Sequence, residues 1–569
     1  MSKQKFFQGF WQLFKGYWSS EEKWRARGLL GVVIILNFAT VYILVLLNQW
    51  YNTFYNALQE YRYNDFWPLI GQFALLAFIH IVIAVYAIYL RQMLQIKWRR
   101  WLTKQYLEKW LNKQTYYRIQ VVGGDTDNPD QRISEDINQF VALTLGLALG
   151  FLKQATTLGA FIVILWQLSG IITVPIGGHE FTIYGYMVWF SLLYAIVGTY
   201  FTAKIGNPLV KLNYDQQRYE ADFRFGMVRL RENSESVAFY GGELPEKTGF
   251  SIRFADVFKN YWSLMKYEKR LTWFTAGYGQ LAIIVPILLA APRYFAGEMQ
   301  LGGLMQTNSA FGKVQDSLSF FVTSYTSIAQ WTAVVKRLLG FNNHIQTVAE
   351  LPTEVRIKDA PSNALEIDNL SVALPDGRAL LNNLSFTILS GDKLLITGES
   401  GCGKSTLLRT IAGIWPFGQG VVNLPRQNGR LFLPQRPYLP LGSLRQVVLY
   451  PAETLVRNDD DIREVLIKCA LPQLVNRLDE VAEWSKILSL GEQQRIAFAR
   501  LLLLRPNWVF LDEATSALDE STEKLMYELV AEQLPDTAVI SIGHRNTLLK
   551  YHQRRLHLSS GKWELVAIK

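Results

Sequence analysis

Between Leu29 and Trp50 the chain carries no charged residue. A helical run of that length covers the roughly 30 Å of a bilayer's hydrocarbon core. Lipid offers no water to backbone N–H and C=O groups, so such a run folds as a helix bonded within itself. Four further runs share this character, at about 66–90, 140–167, 181–203 and 271–291. A sixth, about 304–335, is more polar and holds Gln306, Asn308, Lys313, Gln315 and Asp316. It reads as a helix with a wet face lining a cavity, against the alternative of a soluble linker helix. Pro175, Gly177 and Gly178 mark a short loop between the third and fourth runs.

Basic residues set the orientation. The segment after the second run holds Arg91, Lys97, Arg99, Arg100, Lys104 and Lys109. The segment after the fourth holds Lys204, Lys211, Arg218, Arg224, Arg229 and Arg231. The opposite loops, about 51–65, 168–180 and 292–303, are poor in both types. The positive-inside rule therefore places both termini and both long loops in the cytoplasm. The net charge of +10 follows the same logic. Its basic residues flank apolar runs, which points to a lipid bilayer as partner and away from nucleic acid. Ahead of the first run, Phe6, Phe7, Phe10, Trp11, Phe14, Tyr17 and Trp18 recur at helical spacing, so residues 1–27 are expected to form an amphipathic helix at the membrane interface.

Two titratable residues fall inside apolar runs. Lys153 lies in the third, where it either faces a water-filled interior or is satisfied by a polar neighbour. His80 lies in the second and reads as a packed or hydrogen-bonded histidine rather than a proton relay.

After Pro352 the pattern changes to short strands and turns. At 569 residues, with 50% hydrophobic but only 19% charged, the chain needs more than one domain. The expected division is 1–27, a membrane domain over 28–340, a linker over 341–354 and a soluble domain over 355–569. Gly398 to Thr406 read Gly-Glu-Ser-Gly-Cys-Gly-Lys-Ser-Thr, the P-loop pattern. Glycines let successive N–H groups turn toward phosphate oxygens, Lys404 adds a point charge, and the Ser405 hydroxyl suits Mg²⁺. A strand over 394–397 should enter the loop, and a helix over 404–412 should leave it with its N-terminus on the phosphates. The two cysteines, Cys402 and Cys469, suggest neither a disulfide nor a metal cluster.

Downstream come Leu431 to Gln435, Leu488 to Arg495, a strand over 508–511 ending in Asp512 and Glu513, Ser516 to Asp519, and Val539 to His544. In this order the motifs resemble the nucleotide-binding domain of ABC transporters. The resemblance implies an α-helical membrane domain of six spans with the ABC exporter-type fold, followed by an α/β P-loop NTPase domain. It implies that Gly398, Glu399, Ser400, Gly401, Cys402, Gly403, Lys404, Ser405 and Thr406 bind the phosphates of ATP. Ser405, Gln435 and Asp512 would arrange Mg²⁺. Glu513 would polarise the attacking water and His544 would contact the γ-phosphate, with Lys404 and Gln435 completing the catalytic set. Ser489, Gly491 and Glu492 belong to the signature that contacts the nucleotide of a partner domain. Two departures stand out. Leu490 replaces the usual signature glycine. Leu374 falls where an aromatic often stacks on adenine, so modest nucleotide affinity is expected.

One P-loop and one signature per chain imply a homodimer with twelve spans, or a pair with a related half-transporter. Asp127 to Ile137, Gly185 to Trp189, Glu235 to Gly242 and Leu301 to Met305 resemble stretches of SbmA/BacA-like transporters, and of the peroxisomal fatty-acyl D-type group. With the ATPase attached, the chain resembles YddA-type proteins and the mycobacterial cobalamin transporter. The expected function is ATP-driven movement of a hydrophilic solute, peptide-like or cobalamin-like, across the bacterial inner membrane. The alternatives are a lipid or acyl-CoA transporter and a membrane-tethered sensing ATPase without cargo.

Overall fold

The computed structural model describes residues 3–123, 129–176, 179–350, 354–359, 363–425, 429–452, 457–559 and 561–568. The stretch from Asp127 to Asn128 and the Gly177-Gly178 pair lie outside the described residues. The chain divides into two compact units. One holds 1–108 and 127–343, the other 109–126 and 344–569.

The first unit is helical. Its helices are α1 (Lys3–Trp18), α2 (Lys23–Gln59), α3 (Tyr63–Leu111), α5 (Ile137–Ser169), α6 (Tyr186–Glu232), α7 (Glu243–Phe295), α8 (Leu301–Leu318) and α9 (Tyr325–Ala349). A short α4 (Thr115–Val122) belongs to the second unit. Among the described residues five helices, α2, α3, α5, α6 and α7, are long and apolar enough to cross a membrane. They run well past the apolar segments, because charged and polar residues continue the helix beyond the lipid.

Three expectations change in detail. The fourth apolar run begins as a strand, not a helix: β1 (Ile171–Ile176) and β2 (His179–Tyr184) pair antiparallel, and the helix starts only at Tyr186. The β-branched residues of 171–176 and the β-branched and aromatic residues of 181–184 favour paired strands over helix there. The sixth run is interrupted, passing from α8 through a single turn at Phe320–Thr323 to α9. Gln306, expected on the wet face, is buried against α2 instead. Its side-chain oxygen accepts from Asn52 Nδ2 at 2.6 Å, and its carbonyl accepts from Asn48 Nδ2 at 3.0 Å. Asn56 extends this ladder, accepting from the Gly302 N–H at 2.7 Å, and Gln59 accepts from Leu301 N–H at 2.6 Å. Residues 48, 52, 56 and 59 share one face of α2, so the stripe caps the open N–H groups of α8. Gly302 is required by this approach, since a Cβ there would lie 2.0 Å from the Asn52 carbonyl.

The aromatic helix α1 turns much of its ring surface onto protein. Tyr17 is fully buried and stacks on Trp98 at 5.8 Å, while Phe10 meets Phe140 and Trp331 edge-on. Phe7 and Trp11 stay exposed, and an interfacial role for α1 rests on those two.

The second unit is built on a six-stranded sheet in the order β12, β11, β6, β10, β9, β8. These are β12 (Lys562–Ala567), β11 (Arg554–Ser559), β6 (Lys393–Gly398), β10 (Ala538–Ile542), β9 (Trp508–Asp512) and β8 (Arg430–Leu433). All neighbours run parallel except β11 and β12. A second sheet takes the order β3 (Glu354–Asp359), β7 (Gly418–Leu424), β4 (Ala364–Ala373), β5 (Ala379–Leu389). The central strands are buried on both faces, as their continuous apolar sequences demand. Helix α10 (Lys404–Ile411) follows β6 directly. Helix α4 belongs here through Val121, which packs on this core, and Arg118, whose Nη2 reaches the Gly413 carbonyl at 3.5 Å. Thus a stretch of the first long loop is part of the ATPase unit.

A buried polar chain sits behind β10. His552 Nδ1 is 2.8 Å from the Leu548 carbonyl, His552 Nε2 is 2.9 Å from Ser541 Oγ, and the Tyr527 hydroxyl donates to Ser541 at 3.2 Å. Burial depresses the His552 pKa to about 4. The folded chain therefore refuses a proton that the unfolded chain accepts below its ordinary value of 6.5. The contribution of neutral His552 is complete above that value and falls as pH drops toward 4. From pH 7 to pH 5 the loss is about 2 kcal/mol. Thermal melts of the full chain in detergent should show a steeper fall in stability over that range for wild type than for His552→Gln. Parallel slopes would remove His552 from the pH response.

Candidate functional site

The P-loop leaves β6 at the carboxyl edge of the parallel sheet, where ligands of open α/β folds sit. Gly398 adopts φ +152°, and a Cβ there would fall 2.2 Å from the Leu558 carbonyl, so only glycine lets the chain turn beside β11. Gly403 takes φ +99° and starts α10. The loop draws the Lys404 ammonium inward, where Nζ donates to the Gly398 carbonyl at 3.0 Å and the Glu399 carbonyl at 2.7 Å. Lys404 is 6% exposed, so its charge is focused within the loop. Glu399, Ser400 and Gly401 form the exposed rim, while Cys402, Ser405 and Thr406 are half-buried.

The neighbouring strands deliver the rest. Ser405 Oγ donates to Asp512 Oδ1 at 2.8 Å, joining α10 to the end of β9. Burial pushes the Asp512 carboxyl above its ordinary value, and the Ser405 hydrogen bond opposes this. A carboxylate held out of water beside a hydroxyl is a hard-oxygen site that gains from a cation. Glu513 follows with φ +49°, a left-handed backbone at a non-glycine residue and a form of strain concentrated at functional sites. Its carboxylate is gripped from both sides. Gln435 Nε2 donates to Oε2 at 3.0 Å, and His544 Nε2 lies 3.2 Å from Oε1. The structure thus brings Lys404, Ser405, Gln435, Asp512, Glu513 and His544 into one constellation at the ends of β6, β8, β9 and β10.

The signature residues stand at the start of α11 (Leu490–Leu504). Ser489 is the N-cap, and its hydroxyl accepts from the Glu492 N–H at 3.3 Å. Glu492 returns a bond, accepting from Ser489 N–H at 2.9 Å, and also accepts from Gln473 Nε2 at 2.9 Å. Burial raises the Glu492 pKa, but the Ser489 and Gln473 hydrogen bonds more than offset it, so the carboxyl stays ionised. Glu492 therefore acts on its own helix terminus, while Ser489 is left exposed. Leu490 and Gly491 are half-buried, and a Cβ on Gly491 would press on the Ala517 carbonyl at 3.2 Å. Leu374 is half-buried on the second sheet's core, where its N–H and the Arg378 carbonyl close the turn at Pro375.

Two positioning residues carry no role in the motif reading. Gln494 is fully buried, donates to the Gln435 carbonyl at 2.9 Å and Ser516 Oγ at 3.2 Å, and accepts from the Ala517 N–H at 3.0 Å. It ties α11 to the loops on both sides of Glu513. Arg545 Nη1 donates to the Leu518 carbonyl at 2.9 Å and fixes the chain next to His544. The signal for Gln494 was present as a glutamine inside a quoted motif, but only its neighbours reveal its task.

Residues 13–295 match the family described as ABC transporter transmembrane region 2, and 381–516 the one described as ABC transporter. The inner membrane ABC transporter ATP-binding protein YddA of Escherichia coli K12 is 36% identical, over 94% of this chain and 94% of its own length. The chain belongs to the ABC transporters. The human lysosomal cobalamin transporter ABCD4 is 28% identical over 99% of this chain and 97% of its own. A bacterial Atm1-family ABC exporter with ATP bound superposes with a TM-score of 0.74 at 19% identity, covering 96% of each chain, which shows the exporter fold. As an ABC half-transporter, with one membrane region fused to one ATPase domain, the chain binds ATP and couples its hydrolysis to transport.

Proposed function

We propose that two copies of this chain form a transporter that carries a hydrophilic solute, peptide-like or cobalamin-like, across a bacterial inner membrane. The observation that carries the cargo reading is the polar content of α8. Asn308, Ser309 and Lys313 are half-buried and make no side-chain hydrogen bond among the described residues. Polar groups at membrane depth need water or a polar ligand, which supports a wet interior over a lipid-facing surface. Lys and Arg clusters at the cytoplasmic segments support cytoplasmic termini and ATPase. YddA's inner-membrane name and ABCD4's cobalamin cargo accord with this reading.

In this reading Gly398 to Thr406 hold the ATP phosphates, and Lys404 places its charge on them. Ser405, Asp512 and Gln435 would hold Mg²⁺, which supplies charge neutralisation at the phosphate oxygens. Glu513 orients and polarises water, and His544 keeps that carboxylate aimed. Exposed Ser489 of each copy reaches the nucleotide of the other, so two composite sites form per dimer. Two ATP molecules favour the clamped state through their extra contacts in it, and hydrolysis resets the cycle.

Proteoliposomes with outward-facing ATPase domains test the cargo directly. One set is preloaded with labelled cobalamin and a labelled hydrophilic peptide, a second receives the labels outside, and Mg-ATP is added. ATP-driven loss from the first set means movement toward the cytoplasmic side, and accumulation in the second means export. Both uphold a hydrophilic cargo. Active ATPase with neither label moved, but with a labelled acyl-CoA carried, would replace it with the lipid reading.

A further inference from the structure

We infer that the membrane unit holds an anion-binding site for cargo, formed by Lys153 of α5 and Lys313 of α8. The inference rests on the hydrophilic-cargo reading and adds the chemical class: a solute bearing a carboxylate or phosphate group.

Register places the two lysines together. The Ser317 hydroxyl lies 3.1 Å from Gln154 Oε1 and 2.8 Å from the Lys313 carbonyl. Gln154 adjoins Lys153, and Ser317 lies one helical turn from Lys313, so this contact sets both lysines at the same level of the α5–α8 seam. Each lysine is half-buried. Lys153 feels Lys313 as its charged neighbour, and His80 feels both. His80 also keeps a buried Nδ1 with no hydrogen-bond partner.

No carboxylate answers these charges. Neither lysine forms an ion pair among the described residues. The nearest acid in sequence, Asp316, is exposed and acts on Tyr278 of α7. Lys153 sits at the middle of α5, within a run otherwise free of charge. Two like charges at membrane depth repel and are costly to desolvate, and a protein keeps such groups where they meet water or a counter-charge. With no such counter-charge paired to them among the described residues, an anionic group on the cargo supplies it.

The test uses the full chain in nanodiscs and two labelled peptides of equal length, one carrying three glutamates, the other three glutamines. Wild type is expected to bind the acidic peptide about ten-fold more tightly, in a salt-sensitive manner. Lys153→Gln and Lys313→Gln should each weaken the acidic peptide about ten-fold and leave the glutamine peptide unchanged. The matching arginine substitutions should restore the preference, and basal ATPase should stay constant. Equal affinity of wild type for both peptides, or equal losses for both in the glutamine variants, would overturn the inference. So would an acidic-peptide preference that phosphatidylglycerol abolishes and that appears only in phosphatidylcholine nanodiscs, which would assign the lysines to a lipid headgroup. Binding with this charge preference but no flux in proteoliposomes would instead overturn the transport reading and leave the anion site standing.

Discussion

Glu513→Gln is expected to leave ATP binding intact and to lower ATP turnover by about 10²-fold or more, the usual yield of a positioned general base. The geometry gives the reason. In the proposed site the phosphate contacts are those of the loop from Gly398 to Thr406, whereas Glu513 stands apart at the end of β9 between Gln435 and His544. An amide keeps the shape and the hydrogen bond with His544 but cannot attract a proton from water. The left-handed backbone at residue 513 is retained, since glutamine adopts it no less readily than glutamate. Steady-state ATPase assays and binding of a fluorescent ATP analogue check the two halves of the expectation. The ATP-loaded variant should also persist as a clamped dimer in size-exclusion chromatography. Turnover within two-fold of wild type would remove Glu513 from the chemistry.

Asp136→Ala carries the largest expected loss of stability. Asp136 is 2% exposed and accepts from Arg337 Nη2 at 2.6 Å, from Arg337 Nε at 3.0 Å and from Arg132. Arg132 itself is 4% exposed, in a π-helical turn at the head of α5, and Arg337 comes from α9. The carboxylate thus joins two helices and neutralises a buried cation. Its removal deletes a buried carboxylate that two guanidinium groups share, a loss of about 3–5 kcal/mol for a buried ion-pair network. In thermal unfolding of the detergent-solubilised chain this should lower the midpoint by roughly ten degrees. Adding Arg132→Met should recover part of the loss, because it removes one of the two cations that Asp136 balances. An unchanged midpoint for Asp136→Ala would show that water reaches the site.

Much of this was legible beforehand because it depends on local chemistry. A long apolar run in lipid satisfies its backbone as a helix whatever its neighbours, and four of the expected spans lie within helices that reach beyond them, while the fourth run becomes helical from Tyr186. The P-loop, Gln435, Asp512, Glu513 and His544 were legible as a set because each needs a fixed residue type at the end of a strand. The hairpin at 171–184 was less so, since β-branched residues in an apolar run suit a span and a strand alike. Glu492 shows the limit of a motif: its type was readable, but its bonds to Ser489 and Gln473 were not.

What the sequence by itself determined is therefore the list of parts: membrane helices, an ATP-binding loop, and the residue types that hydrolysis requires. Only the tertiary structure decided which parts meet. It turned Gln306 from a wet face onto Asn48 and Asn52, joined α4 to the ATPase unit, buried Gln494 behind Glu513, and set Ser317 of α8 against Gln154 of α5. The physical reason is common to all four. A backbone's period and a loop's φ angles are local properties. The partner of a buried polar group is whichever residue another helix or strand brings within about 3 Å, and that depends on packing across hundreds of residues.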